Sequence, residues 1–227
     1  ELSRLKYVIF EVSYHSLEQR NKGKYKRNVL YLRYYDIDNF GDYLKLDIRK
    51  YSIFFSAPHT YFKFVFSFNS IEVDEYGFQT ELIKKGRFYE VDYDTLKIRS
   101  MEKDRFVNRH NYIDLQKHKI NEIAFQRMID ICINNDVAPI ILIPPGYKTY
   151  YERMIPEKKS RRDTFLNDLM EKYPSIVLMD YEHSSLFEVE DFINEDHLNV
   201  YGAKKLTEEV SKRLFTKTAT TSSSAIQ

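Results

Sequence analysis

Three apolar runs punctuate the chain: LKYVIFEVS (5–13), VAPIILIPP (137–145) and PSIVLMDY (174–181). Each is short, bounded by polar or turn-forming residues and without clear alternation, as expected of a strand buried on both faces. Between and after them the period changes to that of a helix. Over Asp114–Asn134, Ile120, Ala124, Met128 and Ile131 recur at helical spacing, with Phe125 and Ile129 widening the stripe. In RRDTFLNDLMEKY (161–173), Phe165, Leu166, Leu169 and Met170 fall on one side, and the charges of EKKSRRD just before are read as a solvated helix start. Beyond Asn199, a capping residue, Ala203, Leu206, Val210 and Leu214 share a face. NVLYLRYY (28–35) reads as a further strand.

Strand and helix in alternation predict an α/β fold, a doubly wound (flavodoxin-like) parallel sheet with helices on both faces. The pattern is interrupted over residues 36–114 by aromatic-rich stretches such as YSIFFSAPHTYFKFVFSF, read as an insertion or lid of short helices and loops. Residues 1–215 then form one domain with that insertion, and 216–227, rich in Ser and Thr, a flexible tail. In such folds ligands gather beyond the carboxyl ends of the strands. Three segments stand there: Ser13-Tyr14-His15, Pro144-Pro145-Gly146-Tyr147 and the stretch after Asp180 that leads to His197.

Composition narrows the function by exclusion. The 35 Lys and Arg nearly balance 34 Asp and Glu with no basic stripe, which argues against nucleic acid as a partner. No apolar stretch is long enough for a membrane span. The single cysteine, Cys132, lies in the apolar run IDICI and reads as a buried helical residue; alone it leaves the redox compartment undecided. The histidines at 15, 59, 110, 118, 183 and 197 show no metal-ligand spacing, and no phosphate-binding glycine loop occurs, so no metal and no cofactor are expected. Nineteen Tyr and sixteen Phe without Trp suit sugar stacking, but are equally the mark of an AT-rich coding bias. Tyr147, Tyr150 and Tyr151 either stack on a sugar or pack under the lid; Arg109-His110 either contacts an anionic substrate or lies in a solvated loop.

The segment FINEDHLNVYGAKKL (192–206) carries the chemistry. Its DHLNVYGAKKL resembles the closing element of the SGNH (GDSL-like) hydrolases, in particular their envelope and polysaccharide-associated branch. IPPGYKTYYE (143–152) is similar to a strand-end segment of that branch, and KYVIFEVSYHSL to its second-strand segment. The resemblance implies a serine esterase or O-acyltransferase acting on an acylated carbohydrate, without cofactor, in the cell envelope, periplasm or outside the cell. It makes His197 the general base that relays the proton of a serine hydroxyl. The family's usual acid stands three residues before the histidine, and that position here is Asn194. An amide cannot stabilise an imidazolium as a carboxylate does; in serine proteases the corresponding change costs about 10⁴-fold in turnover. Either Asp196 substitutes, or a weaker Ser-His pair operates, or the site is degenerate.

The family's Gly-Asp-Ser nucleophile element is not found in residues 1–227; the only Gly-Asp, at 41–42, is followed by Tyr43. Either the serine belongs to a preceding segment, which the abrupt start on ELSRLKYVIF favours, or the domain binds glycan without cutting it. Ser13 and His15, two apart in an extended segment, point the same way and form a rival nucleophile and base. With Tyr147 they are also expected to line the substrate pocket, where backbone N–H groups would serve an oxyanion hole. A receiver-like signalling domain shares the fold pattern but would need a phosphorylatable aspartate, for which LMDY (178–181) is the one candidate.

Overall fold

The computed structural model describes residues 4–19, 31–32, 34–37, 52–56, 58–66, 88 and 109–222. The chain divides into two compact units, Glu1–Gln19 with Val73–Gln227, and Arg20–Glu72. In the first unit, strand β1 (Tyr7–Glu11), helix α3 (Leu115–Asn134), strand β2 (Ala138–Ile143), a short helix α4 (Lys148–Tyr151), helix α5 (Pro156–Lys172) and strand β3 (Val177–Asp180) follow one another. A hairpin of β4 (Phe192–Asn194) and β5 (His197–Leu198) leads into helix α6 (Val200–Ser222). The second unit holds α1 (Ile53–Ser56) and α2 (Pro58–Phe66), where the Phe54 ring meets Tyr61 and Phe62 edge-on at 5.2 and 5.7 Å.

The three long strands form a parallel sheet in the order β1-β2-β3. Ile141 and Ile143 face one side of β2 and pack with Phe125 and Ile129 of α3 and Leu166 and Leu169 of α5. Ile140 faces the other side, with Met179 and with Val210 of α6, against which Leu206 and Leu214 are packed. Of the three runs only β2 is buried on both faces; on β1 at the sheet edge Ile9 is 45% exposed, which corrects the expectation that this run is buried on both sides. The fold is therefore α/β with a parallel sheet, as the pattern predicted.

Helix ends follow side-chain chemistry. Asp114 caps α3 by accepting from the Lys117 amide at 2.9 Å, and Asn199 Oδ1 accepts from the Gly202 amide at 3.0 Å. Pro156 occupies the first turn of α5, where its missing N–H costs nothing. Gly202 is needed where α6 crosses the preceding turn: a Cβ there would stand 2.3 Å from the Asp191 carbonyl oxygen.

Several expectations are corrected. Tyr31, Leu32, Tyr34 and Tyr35 are helical, so NVLYLRYY contributes no strand over its described residues. On α3 the residues Ile120, Ala124, Met128 and Ile131 are exposed, and the buried stripe is His118, Phe125, Ile129 and Cys132. The helix is apolar nearly all round, so periodicity admitted two faces, and the sheet took the one carrying the phenylalanine. The EKKSRRD segment is not solvated throughout: Lys158 and Arg162 are 2% and 1% exposed. Of the 36–114 insertion, α1, α2 and a few single residues are described; the rest lies outside the described residues. Among the described residues no helix is long and apolar enough to cross a membrane.

Candidate functional site

The carboxyl ends of the three parallel strands lead into Ser13–His15, Pro144–Gly146 and Tyr181–Glu182. These segments, with Tyr150, Tyr151, Met154 and Asp196, enclose a cavity of about 30 Å³, enough for a water-sized group. Gly146 belongs to the wall because its amide donates to the Tyr151 hydroxyl at 2.6 Å, with the Tyr150 and Tyr151 rings packed close against its Cα.

The β4–β5 hairpin brings Asn194 opposite His197 and puts Glu195 and Asp196 at its tip. The tip is anchored from both sides. The Tyr147 amide donates to the Glu195 carbonyl at 2.8 Å, and the buried Glu195 carboxylate lies 3.6 Å from Arg153. Within the turn, Asn194 Oδ1 accepts from the Asp196 amide at 3.1 Å and from His197 Nδ1 at 3.0 Å. The first of these bonds comes from a backbone donor, so it fixes which end of the Asn194 amide is oxygen. Nδ1 of His197 therefore carries its hydrogen, and Nε2 is the basic nitrogen of a ring that is 60% exposed.

Asp196 stands beside this pair. Its buried Oδ1 is 3.1 Å from His197 Nδ1, almost as near as Asn194 Oδ1 at 3.0 Å, so the ring N–H stands between the amide oxygen and the carboxylate. Burial pushes the Asp196 carboxyl up, but the nearby His197, His110 and His15 outweigh it and hold the group below its ordinary range. The outcome is a carboxylate with one oxygen facing the imidazole at 3.1 Å. The ring thus has an amide oxygen and a carboxylate oxygen side by side at its Nδ1.

Two more imidazoles complete the cluster. His110, 13% exposed, places Nε2 3.6 Å from Asp196 Oδ2 and Nδ1 2.7 Å from the Tyr150 hydroxyl. His15 stacks on His110 with ring centroids 3.7 Å apart and planes 9° from parallel. Burial and the facing His110 lower His15 to about 4, while Asp196 pulls it the other way. Burial likewise lowers His110, against the pull of Asp196 and with His197, Lys158 and Arg109 adding to the shift. Burial and the Asp196 charge raise Tyr150 far above the usual tyrosine range, so its hydroxyl keeps its proton. Lys158, itself buried, donates to the carbonyls of His110 and Tyr112 at 2.5 and 2.7 Å and holds the loop that presents His110.

Of the residues singled out in the sequence, His197, Asp196 and Asn194 meet in one hairpin, and His15 joins them through His110. Ser13 lines the cavity with Asp196, but its amide donates to Ser16 Oγ at 2.9 Å and its hydroxyl to Glu11 Oε1 at 2.5 Å. A role as nucleophile or oxyanion donor would require one of those bonds to be given up. Tyr147 is 7% exposed, its ring against Phe88 and Phe192 in the core; the cavity is lined by Tyr150 and Tyr151 instead. The sequence left His110 in a loop, and its only local signal was the capped helix start that follows. Among the described residues no group of His, Cys, Asp and Glu is arranged to hold a metal ion.

No family model, curated protein or solved structure matches the chain.

Proposed function

We propose that the chain is a doubly wound, SGNH-like α/β domain that processes esters of an acylated carbohydrate in the cell envelope, by hydrolysis or acyl transfer, with His197 as general base. The observation that carries this reading is the hairpin geometry. Nδ1 of His197 faces Asn194 Oδ1 at 3.0 Å, and the buried Asp196 Oδ1 stands beside it at 3.1 Å. When Nε2 takes a proton from an attacking hydroxyl, that oxygen faces the new positive charge. Asp196 is the substitute acid in this reading, and Asn194 orients the ring.

Turnover of p-nitrophenyl acetate tests it, measured on this chain and on the same chain with a preceding serine-bearing segment supplied, since the nucleophile is read as lying outside residues 1–227. The expected result is hydrolysis that falls by about 10³-fold or more in His197→Ala and by about 10²-fold in Asp196→Asn, with a smaller loss in Asn194→Ala. Ser13→Ala separates a nucleophile within the cavity from one elsewhere. Turnover indifferent to His197→Ala would overturn the assignment. No turnover together with retained binding of an acetylated oligosaccharide would favour the alternative, a domain that holds glycan on its aromatic residues without cutting it.

A further inference from the structure

The Asp196 carboxylate is shared. One oxygen faces His197, and the other faces His110, whose far nitrogen meets a buried tyrosine. We propose that His110 is a positioning residue of this site: a neutral imidazole that accepts the Tyr150 hydroxyl at Nδ1 and turns its Nε2–H toward Asp196, steadying the carboxylate without cancelling its charge. Its effect on turnover rests on the acid–base reading of His197; its tautomer does not.

The geometry leaves little choice of protonation. Tyr150 is buried, and its hydroxyl lies 2.7 Å from Nδ1. Among the described residues that hydroxyl has no other hydrogen-bond acceptor, and an Nδ1–H ring would turn a bare Nε2 lone pair toward the Asp196 carboxylate, so we assign the O–H as donor, Nδ1 as acceptor and the ring's single hydrogen to Nε2. The 3.6 Å from Nε2 to Asp196 Oδ2 exceeds a hydrogen bond, so what the N–H supplies there is an oriented dipole.

A second proton on His110 would be opposed from several elements. The His15 ring from the β1 loop lies face to face at 3.7 Å, the Lys158 ammonium from α5 is bonded to the residue's own carbonyl, and Arg109 is its chain neighbour. From the hairpin, His197 also opposes it, and Asp196 alone favours it. This matters for the base. An imidazolium at position 110 would compete for the Asp196 charge that faces His197, and the Asn194 amide cannot supply a charge in its place. A neutral donor keeps the negative charge for the side on which the reaction creates a positive one.

Long-range ¹H–¹⁵N correlation of the labelled histidines reads the tautomer directly and needs no substrate. Between pH 7 and 8, His110 is expected to be neutral with Nε2 protonated and Nδ1 bare, and Tyr150→Phe to mix the two tautomers. An Nδ1–H ring, or an imidazolium forming within that range, would overturn the proposal. In turnover, His110→Ala is expected to lower kcat by up to about 100-fold with KM unchanged. His110→Gln, whose side-chain amide still points an N–H at Asp196, is expected to recover most of it. Equal losses in both variants, with unchanged melting temperatures, would also overturn it. If the parent chain turns over no ester, the hydrolase reading falls while the tautomer still decides the role of His110.

Discussion

Single residues set the acid limit of this molecule. Unfolded, His15 takes up a proton near pH 6.5; folded, it does so only at about 4. Between those values the unfolded chain holds more protons, so stability is complete above about pH 6.5 and drains away as the pH falls toward 4. The shift corresponds to at most about 3 kcal/mol from this one ring. His110 is lowered in the same direction and adds to the same window. The carboxylates Asp196 and Glu182, held below their ordinary range, lose their contribution only at still lower pH. Melting temperatures taken from pH 7.5 to 4.5 are therefore expected to drop steeply below about 6.5. His15→Phe, which keeps a ring against His110 without a titrating nitrogen, is expected to flatten most of that slope. At this scale the sequence was legible only where neighbours in the chain are neighbours in space. Asn194, Asp196 and His197 lie in one turn, and their chemistry was visible in it. His110 reaches the same carboxylate from another part of the chain, through Tyr150, His15 and Lys158, and no local pattern announces such a meeting.

At the level of elements, α3 shows what periodicity can and cannot decide. Helical spacing placed the helix correctly, but of the stripe it selected Ile120, Ala124, Met128 and Ile131 face outward, and only the widening residues Phe125 and Ile129 are buried. Ile129 is fully buried between sheet and α5, whereas Ile131, two residues on, is 59% exposed. Ile129→Ala is expected to cost about 2–5 kcal/mol and Ile131→Ala under about 1 kcal/mol in urea unfolding of this unit. Equal costs would mean that the outward face is covered. The central strand β2 was easier, because a run buried on both sides needs no choice of face. For α5 the apolar half was read correctly, but the charged half was not. A lysine or arginine enters a core only when partners meet it there, and those partners are Glu18 in the turn after β1, the carbonyls of His110 and Tyr112, and Glu182 just after β3.

Across the whole of this unit, those buried charges join segments that the sheet leaves loose at its active edge. Arg162 Nη1 and Nη2 donate to Glu182 Oε1 and Oε2 at 2.7 and 3.1 Å, tying α5 to the residue that follows β3 and lines the cavity. On the other side of the helix Arg161 donates to Glu18 Oε1 at 2.6 Å, and Lys158 lies 3.7 Å from Glu18 Oε2, reaching the turn after β1. Such pairs add little net stability over an apolar core, but breaking one leaves a stranded charge. Glu182→Ala is expected to destabilise the unit by about 3 kcal/mol or more in chemical denaturation, whereas the paired change Arg162→Met with Glu182→Leu is expected to cost much less.

The burial of Lys158 has a consequence of another kind. A domain proposed to handle activated acyl groups works among reagents that also modify amines. The ammonium whose loss would release the His110 loop is closed off from solvent and engaged with two carbonyls and a carboxylate. Acylation of the exposed lysines would leave the hold on that segment untouched.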